Sequence, residues 1–325
     1  FAPNTATGGV TIPSNVFGPA AGFYRYNDKL LEKEFTNFVP RVILSYDVNP
    51  DVMAYASYSK GVNPAFFNTS FLTQPADRQA ALLAQGFRVQ TDPEEVVNYE
   101  LGLKGSFFDN RLRLATAAYM ATWSDQINTV GTLVVNANGT TSLVTASVNS
   151  GETDLKGFEV EGSFAATDAV TLSFGAALND TKTKHYRFPL VSQLVGVVDF
   201  VGKELPFASR TSANFGAQYD GVMSGFGDAK WFARMDVNYK SGVYANVANV
   251  AKTPDLTRVN LRAGITRGAF GVDVFVLNAL NDDTYTNVID NNLFNSTFSF
   301  STAYSALVVG LPDLRTYGAK LTWRF

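Results

Sequence analysis

Apolar and polar residues alternate along most of this chain with a period of two. Within residues 230–240, one face carries only apolar and aromatic side chains: Trp231, Ala233, Met235, Val237 and Tyr239. Charged and amide side chains occupy the other face, with Phe232 as the one exception. Because successive side chains of a strand point to opposite faces, this pattern predicts a β-strand and not a helix.

The same alternation predicts about eleven strands, most of them roughly ten residues or longer. They are residues 38–48, 52–61, 96–107, 112–127, 152–166, 170–179, 207–220, 230–240, 258–265, 269–280 and 312–325. About ten residues is the length that a tilted strand needs to cross a bilayer. A soluble β-sandwich or propeller would also alternate, but its strands would be shorter.

The predicted connections are alternately short and long. Tight turns are predicted at 49–51, 107–111, 166–169 and 267–270, whereas long connections are predicted at 62–95, 128–151, 186–206 and 281–311. The two remaining connections, at 221–228 and 243–254, are of intermediate length. In an up-and-down meander, every second connection lies at the same rim. Short turns at one rim and long loops at the other are typical of outer-membrane barrels. We therefore predict an all-β fold, a transmembrane up-and-down antiparallel β-barrel.

The composition narrows the chemistry. Among 325 residues there is no cysteine, which excludes thiolate catalysis, disulfides and cysteine-based metal sites. The net charge is −3 and no basic run is present, so nucleic acid is not an expected partner. No apolar run reaches the length of a transmembrane helix. Aromatic residues make up 13 %, which fits a barrel with aromatic girdles.

Several predicted strands carry charges on their polar face. These are Lys104, Arg113, Glu159, Glu161, Arg234, Asp236, Arg258 and Arg262. In lipid each would be costly, so we expect them to face the lumen. There they could tune selectivity, or pair with one another or with a domain that fills the barrel. Eleven strands would leave two open edges in hydrocarbon, so we expect further strands beyond this sequence.

Several stretches resemble the C-terminal half of the barrel of TonB-dependent outer-membrane receptors. They are "YASYSKGVNPAFFN" at 55–68, "PEEVVNYELGLKGSFFDNRLRL" at 93–114, "LKGFEVEG" at 155–162, "VFVLNALNDDTY" at 274–285 and "RTYGAKLTWRF" at 315–325. The resemblance covers nearly all of the chain from about residue 38 onward. It implies that residues 38–325 form the second half of a 22-stranded barrel, and that residues 1–37 are an extracellular loop segment.

The resemblance also implies a function. Such receptors import a scarce, bulky solute such as a siderophore, a vitamin, haem or a glycan across the bacterial outer membrane. A plug domain fills the barrel, and energy arrives when TonB pairs as an added strand with a TonB box. The plug, the TonB box and the first half of the barrel have no counterpart in this sequence. The resemblance implies no cofactor and no catalysis. The alternative is a passive porin, or a structural barrel within a surface complex.

Candidate ligand-binding residues are aromatic and lie in the long connections. They are Phe66, Phe67, Phe71, Tyr186, Phe294, Phe298 and Tyr304. As a set they could form a binding platform, because aromatic rings give a large contact area with few rotatable bonds. Individually, each is better explained by packing between loops or by a membrane girdle. The only histidine, His185, is expected to be a solvated loop residue, which disfavours an outer-membrane hydrolase.

The C-terminal segment alternates to its last residue, Phe325. We expect Tyr317, Trp323 and Phe325 to face lipid, with Lys320 and Arg324 in the lumen. The terminal aromatic residue resembles the signal that the barrel-assembly machinery recognises. The expected partners are therefore outer-membrane lipid, the missing barrel half and plug, the TonB complex and the assembly machinery.

Overall fold

A computed structural model describes residues 34–68, 71, 74–135, 139–187, 199–290 and 307–325. Its dominant feature is one antiparallel sheet of 11 strands in the order β1 to β10 and then β13. The strands of this sheet are β1 (Arg41–Asn49), β2 (Val52–Asn63), β3 (Glu94–Phe107), β4 (Leu112–Val135), β5 (Thr141–Ala165), β6 (Val170–Tyr186), β7 (Thr211–Met223), β8 (Ala229–Lys240), β9 (Leu256–Arg267), β10 (Phe270–Leu277) and β13 (Thr316–Trp323). Each strand pairs with the next strand of this sheet along the chain, which confirms the predicted meander.

The connections confirm the predicted alternation between short and long. The five connections after β1, β3, β5, β7 and β9 are tight turns, and that after β7 includes a 3₁₀ turn at Ser224–Phe226. At the opposite rim the connections after β2, β6 and β8 are longer, and the one after β10 carries a two-stranded ribbon, β11 (Asn287–Asp290) and β12 (Leu307–Gly310). The rim with the short turns is accordingly the periplasmic one.

Two features of the extracellular side differ from the prediction. The segment 128–151, predicted as a long loop, is mostly strand, because β4 and β5 extend far beyond the rim as one hairpin. The connection after β2 contains a helix, α1 (Ala76–Ala84), which the sequence reading missed. It is rich in good helix formers and has Asp77 in its first turn, and Gly86 follows it at φ +90°.

The sheet has two end strands. Within the described residues, β1 pairs only with β2 and β13 only with β10, so the barrel is not closed. Among the same residues, no helix is both long and apolar enough to cross a bilayer. The ligand candidates Phe294, Phe298 and Tyr304 lie outside the described part of the chain, as does most of the predicted loop segment 1–37.

One face of the sheet has an uncharged apolar belt. On β8 this face carries the five residues that the alternation places together, Trp231 to Tyr239, and on β9 their direct partners include Val259, Leu261 and Ile265. On β10 and β13 it carries Val272, Val274 and Val276 opposite Leu321, Ala319 and Tyr317. Because directly opposed residues share a face, this belt is continuous across the last strands. Its chemistry suits contact with lipid.

Aromatic rings mark the periplasmic end of this belt. Tyr219 stacks on Trp231 with ring centroids 5.0 Å apart, and Phe270 stacks on Trp323 at 6.0 Å. Phe325 lies edge-on to Trp323 at 5.9 Å. This cluster has the composition and the position of an interfacial girdle.

Candidate functional site

The opposite face of the sheet collects all eight charges that the alternation assigns to the lumen. One cross-strand row of paired residues runs from Lys104 through Glu161 to Arg258, by way of Ala115, Gly175, Asn214 and Asn238. The other five charged residues lie two or four positions along the same strands from members of this row. They therefore share its face, because side-chain direction repeats every second residue.

This charged face is the concave one. A cavity on it is lined by side chains from six consecutive strands, among them Tyr55, Lys104, Glu161 and Asn214. In a barrel wall the lumen side is the concave one, and the charged face is assigned to it because charged side chains would be costly in lipid. The charged face therefore lines the lumen side of the wall, and the apolar belt is on its convex side.

The lumen charges fall into two sectors. On β8 to β10 they are paired: Arg234 forms a two-pronged ion pair with Asp236, with N–O distances of 2.5 and 2.8 Å, and Arg262 Nη2 lies 2.7 Å from Asp273 Oδ2. Arg258 donates to the carbonyl oxygen of Asp313 at 2.8 Å. The four lumen charges singled out in this sector, Arg234, Asp236, Arg258 and Arg262, thus have partners within the wall.

The second sector, on β3 to β5, carries unpaired charges. Lys104 Nζ lies 5.7 Å from the centre of the Tyr55 ring, and Tyr55 donates a hydrogen bond of 2.6 Å to Glu100. In the described part of the chain, Arg113, Glu159 and Glu161 form no ion pair or hydrogen bond. These three side chains are exposed on the concave face.

Phe232, the exception in the alternation of β8, has a structural explanation. It faces the lumen directly opposite Gly264, where a methyl group would lie 2.5 Å from Phe232 Cε1. The ring therefore covers a backbone position that has no side chain of its own. It also lies 5.5 Å from the guanidinium carbon of Arg262.

Above the rim, the β4–β5 hairpin changes which residues face inward. The register shifts between Trp123 and Gln126 and again between Gln126 and Ile127, and Asp125 has φ +53°. Each strand gains one residue there, as in a β-bulge. As a result, odd-numbered residues face the lumen side below the shift, whereas Val130, Val134, Val144 and Ala146 continue that side above it.

These hairpin residues form a hydrophobic core with the other long connections. The core comprises Phe71, Leu82, Phe87, Val130, Val134, Val144, Ala146, Phe200 and Ala248. Its members come from the connections after β2, β6 and β8 and from the extended β4–β5 hairpin, so these segments converge above the concave face. We call this assembly the loop cap. It is the principal feature that the sequence analysis missed, because its contacts join segments far apart in sequence.

The candidate aromatic residues differ in how far the structure buries them. Phe71 is 1 % exposed inside the loop cap, and Tyr186 packs against the same core with its ring 5.6 Å from that of Phe200. Burial raises the pKa of the Tyr186 hydroxyl to about 12. Phe66 is 43 % exposed and Phe67 is half-buried. Among the candidates in the described segments, Phe66 therefore presents the most accessible ring.

His185 lies on a strand and not in a loop, which corrects its expected position. It faces Glu152 across the β5–β6 pair and is exposed. No group of three or more potential metal ligands is found in the described segments. His185 has no arrangement around it that indicates catalysis.

Comparison with known proteins gives a consistent result. Residues 11–291 match the family described as TonB dependent receptor-like, beta-barrel. The ferric yersiniabactin uptake receptor FyuA from Yersinia pestis superposes with a TM-score of 0.64 at 16 % sequence identity, over 88 % of this chain and 37 % of that one.

Two receptors from Acinetobacter baumannii are similar in the same way. The siderophore receptor PiuA gives a TM-score of 0.61 at 17 % identity, over 87 % of this chain and 35 % of its own. BauA, the ferric preacinetobactin receptor, gives 0.60 at 17 % identity, over 88 % and 36 %. At these identities the likeness concerns the fold, and this chain spans little more than a third of each receptor.

Proposed function

Because the chain belongs to the TonB-dependent receptor β-barrel family, we propose that it forms the C-terminal half of the barrel of an importer energised through TonB. The protein is located in the bacterial outer membrane. The solute is a scarce, bulky molecule that diffusion through a porin would not supply. Siderophores, vitamins, haem and glycans are the candidate classes.

The observation that carries this proposal is a charged lumen face beneath a packed loop cap. A passive porin requires an open, water-filled path, whereas here three connections and the β4–β5 hairpin converge above the concave wall. A receptor needs such loops, because it must recognise its solute on the extracellular side. The unpaired charges of β3 to β5 also suit a barrel whose interior is occupied by another domain of the same protein.

The domain organisation follows from the same proposal. Residues 38–325 form the C-terminal barrel half, and residues 1–37 form the extracellular segment that enters it. The first barrel half, the plug and the TonB box lie outside this sequence. The aromatic candidates and the lumen charges remain proposed contact residues, for the solute and for the plug respectively.

The test is solute uptake by cells that carry the full-length gene. We expect uptake of one member of a panel of labelled ferric siderophores, cobalamin, haem and oligosaccharides. Uptake should stop when TonB is deleted or when an uncoupler removes the proton gradient. Uptake that persists under both conditions, with steady conductance of the purified protein in planar bilayers, would favour the porin alternative.

A further inference from the structure

The extracellular connections depend on one another for their hydrophobic core. Helix α1 buries only Leu82 completely, and the described part of the connection after β6 contributes only Phe200 to the core. The β4–β5 hairpin contributes four residues, all on one face. A nine-residue helix and a two-stranded hairpin each have only marginal stability in water when isolated. Each segment is therefore stabilised by the others.

Hydrogen bonds join the same segments at several points. Gln85, at the end of α1, accepts a hydrogen bond of 2.5 Å from Thr132 on the hairpin and also accepts one from Arg187 at the end of β6. Asn68 donates to the carbonyl oxygen of Ser147 at 2.8 Å. Asn249 accepts a hydrogen bond from the backbone of Glu204 at 2.7 Å and returns one at 2.9 Å. Hydrogen bonds thus link each of the four segments of the loop cap to a neighbouring segment.

We propose that the loop cap is a single cooperative folding unit, which opens as a whole and not loop by loop. Separating any one connection exposes apolar surface of at least one other, so partial opening forfeits much of the core without releasing the remainder. The inference depends on the cap alone and not on the proposed import function.

Amide hydrogen exchange on the full-length receptor in detergent micelles tests this proposal. Each segment contains a reporter amide with a backbone partner: Phe87 bonds to Leu82, Gly202 to Thr183 and Ala245 to Ala251, at 3.0, 2.8 and 2.9 Å. The hairpin ladder between Val130 and Ala146 supplies the fourth. Under conditions in which exchange reports the opening equilibrium, these four sites should have closely similar protection.

The substitution Leu82→Ala removes a fully buried side chain from the centre of the core. We expect exchange to rise by about tenfold or more at all four reporters, because one opening reaction exposes them together. Leu83→Ala is the matched control, because the Leu83 side chain is adjacent to Leu82 on α1 but is 46 % exposed. It should leave exchange at all four reporters unchanged. A rise confined to residues 76–87 would overturn the proposal.

A second perturbation covers the case in which Leu82→Ala does not assemble. Val144→Ala acts on the same core from the hairpin and removes fewer atoms. It should raise exchange at the same four reporters in similar proportion. Exchange that rises only along the hairpin would show that the connections open independently.

Discussion

At the scale of single residues, one amide side chain fixes the place where the β4–β5 hairpin leaves the barrel wall. The side-chain carbonyl of Asn149 accepts a hydrogen bond from Asp92 N at 2.7 Å. Its amide donates to the carbonyl oxygens of Asp92 and Asp125 at 2.9 and 2.7 Å. Three segments therefore meet on one residue, beside the register shift that turns the apolar hairpin face inward.

Replacing Asn149 with alanine should loosen this junction. Each lost hydrogen bond is worth about 0.5–1.5 kcal/mol, so we expect a local cost of about 1–3 kcal/mol. Exchange of the Asp92 amide, which donates to Asn149, should rise by more than about tenfold. Asn238→Ala, on the exposed lumen face of β8, is the control. Equal exchange in both variants would show that Asn149 does not hold the junction.

A second residue, Asp255, makes the stability of the connection after β8 dependent on pH. Asp255 accepts a hydrogen bond of 2.7 Å from the Tyr239 hydroxyl and one of 2.9 Å from Gly242 N. These bonds, with the Tyr239 contribution largest, hold the pKa of Asp255 below its usual 3.8. A carboxylate with a lowered pKa stabilises the fold fully above its usual pKa, and this stabilisation disappears as the pH falls through the lowered value.

We therefore expect residues 241–255 to loosen only below about pH 4. The measurement is amide exchange of this segment, corrected for the intrinsic pH dependence of exchange. Asp255→Asn, which cannot ionise, should show a looser segment at neutral pH and no further change on acidification. If the variant keeps the acid-dependent transition, another group controls it.

At the scale of elements, glycines opposite aromatic residues recur on the lumen face of the wall. Four directly opposed pairs have this form: Tyr55 with Gly102, Tyr119 with Gly157, Phe232 with Gly264, and Phe275 with Gly318. In each pair the ring occupies the space where a side chain on the glycine would stand. These contacts between rings and glycines therefore add to the backbone hydrogen bonds in fixing the register of neighbouring strands.

Substitution at Gly318 tests this role. A methyl group there would lie 2.1 Å from Phe275 Cζ, so Gly318→Ala must displace the ring at a cost of about 1–3 kcal/mol. The folded, heat-modifiable electrophoretic band of the full-length protein should convert at a lower temperature. Gly271→Ala on β10 is the control, because the nearest atom there is 3.4 Å away. Equal conversion temperatures would show that the ring gives way freely.

Strand alternation accounts for what the sequence could predict at this scale, and bulges account for what it could not. The meander and the inward direction of eight charges follow from period-two patterns that continue without interruption. The pattern of β4 fails at Asp125, where an extra residue reverses the faces. Beyond it, "INTVGTLVV" is rich in the β-branched residues that favour strands, and it continues the strand to Val135, so the predicted strand end at residue 127 was wrong.

The loop cap could not be predicted for a different reason. Phe71, Val144, Phe200 and Ala248 come together only through tertiary contacts between separate connections. From the sequence alone, Phe71 and Tyr186 could not be distinguished from aromatic residues of an exposed binding platform. Their burial depends on a hairpin whose apolar face is set by the register shift below it. The alternation of apolar and polar residues therefore predicted the strands of the barrel wall but not the loop cap above them.

At the scale of the whole molecule, the chain presents three unpartnered surfaces in the described structure. The convex belt suits lipid, and the outer edges of β1 and β13 have free backbone groups that hydrocarbon cannot satisfy. The concave face of β3 to β5 has charges without partners, whereas β8 to β10 pair theirs internally. These surfaces agree with a wall that completes its barrel with strands outside this sequence.

Assembly of that barrel gives the last prediction, which concerns Phe325. Its ring packs edge-on against Trp323, which itself stacks on Phe270 of β10, so the chain end is part of the periplasmic girdle. Deleting Phe325 removes one ring from this cluster. We expect the amount of folded protein in outer-membrane fractions to fall severalfold, as measured by the heat-modifiable band against total synthesis.

Substitution separates the ring of this residue from its backbone. Phe325→Tyr keeps an aromatic ring in the girdle and should restore insertion, whereas Phe325→Ala should behave like the deletion. Leu321→Ala changes another lipid-facing residue of β13, 80 % exposed in the described structure, and should insert normally. Loss of insertion in Leu321→Ala would assign the effect to general strand hydrophobicity. Normal insertion of the deletion would show that closure of the barrel needs only the backbone of β13 and the side chains up to Arg324.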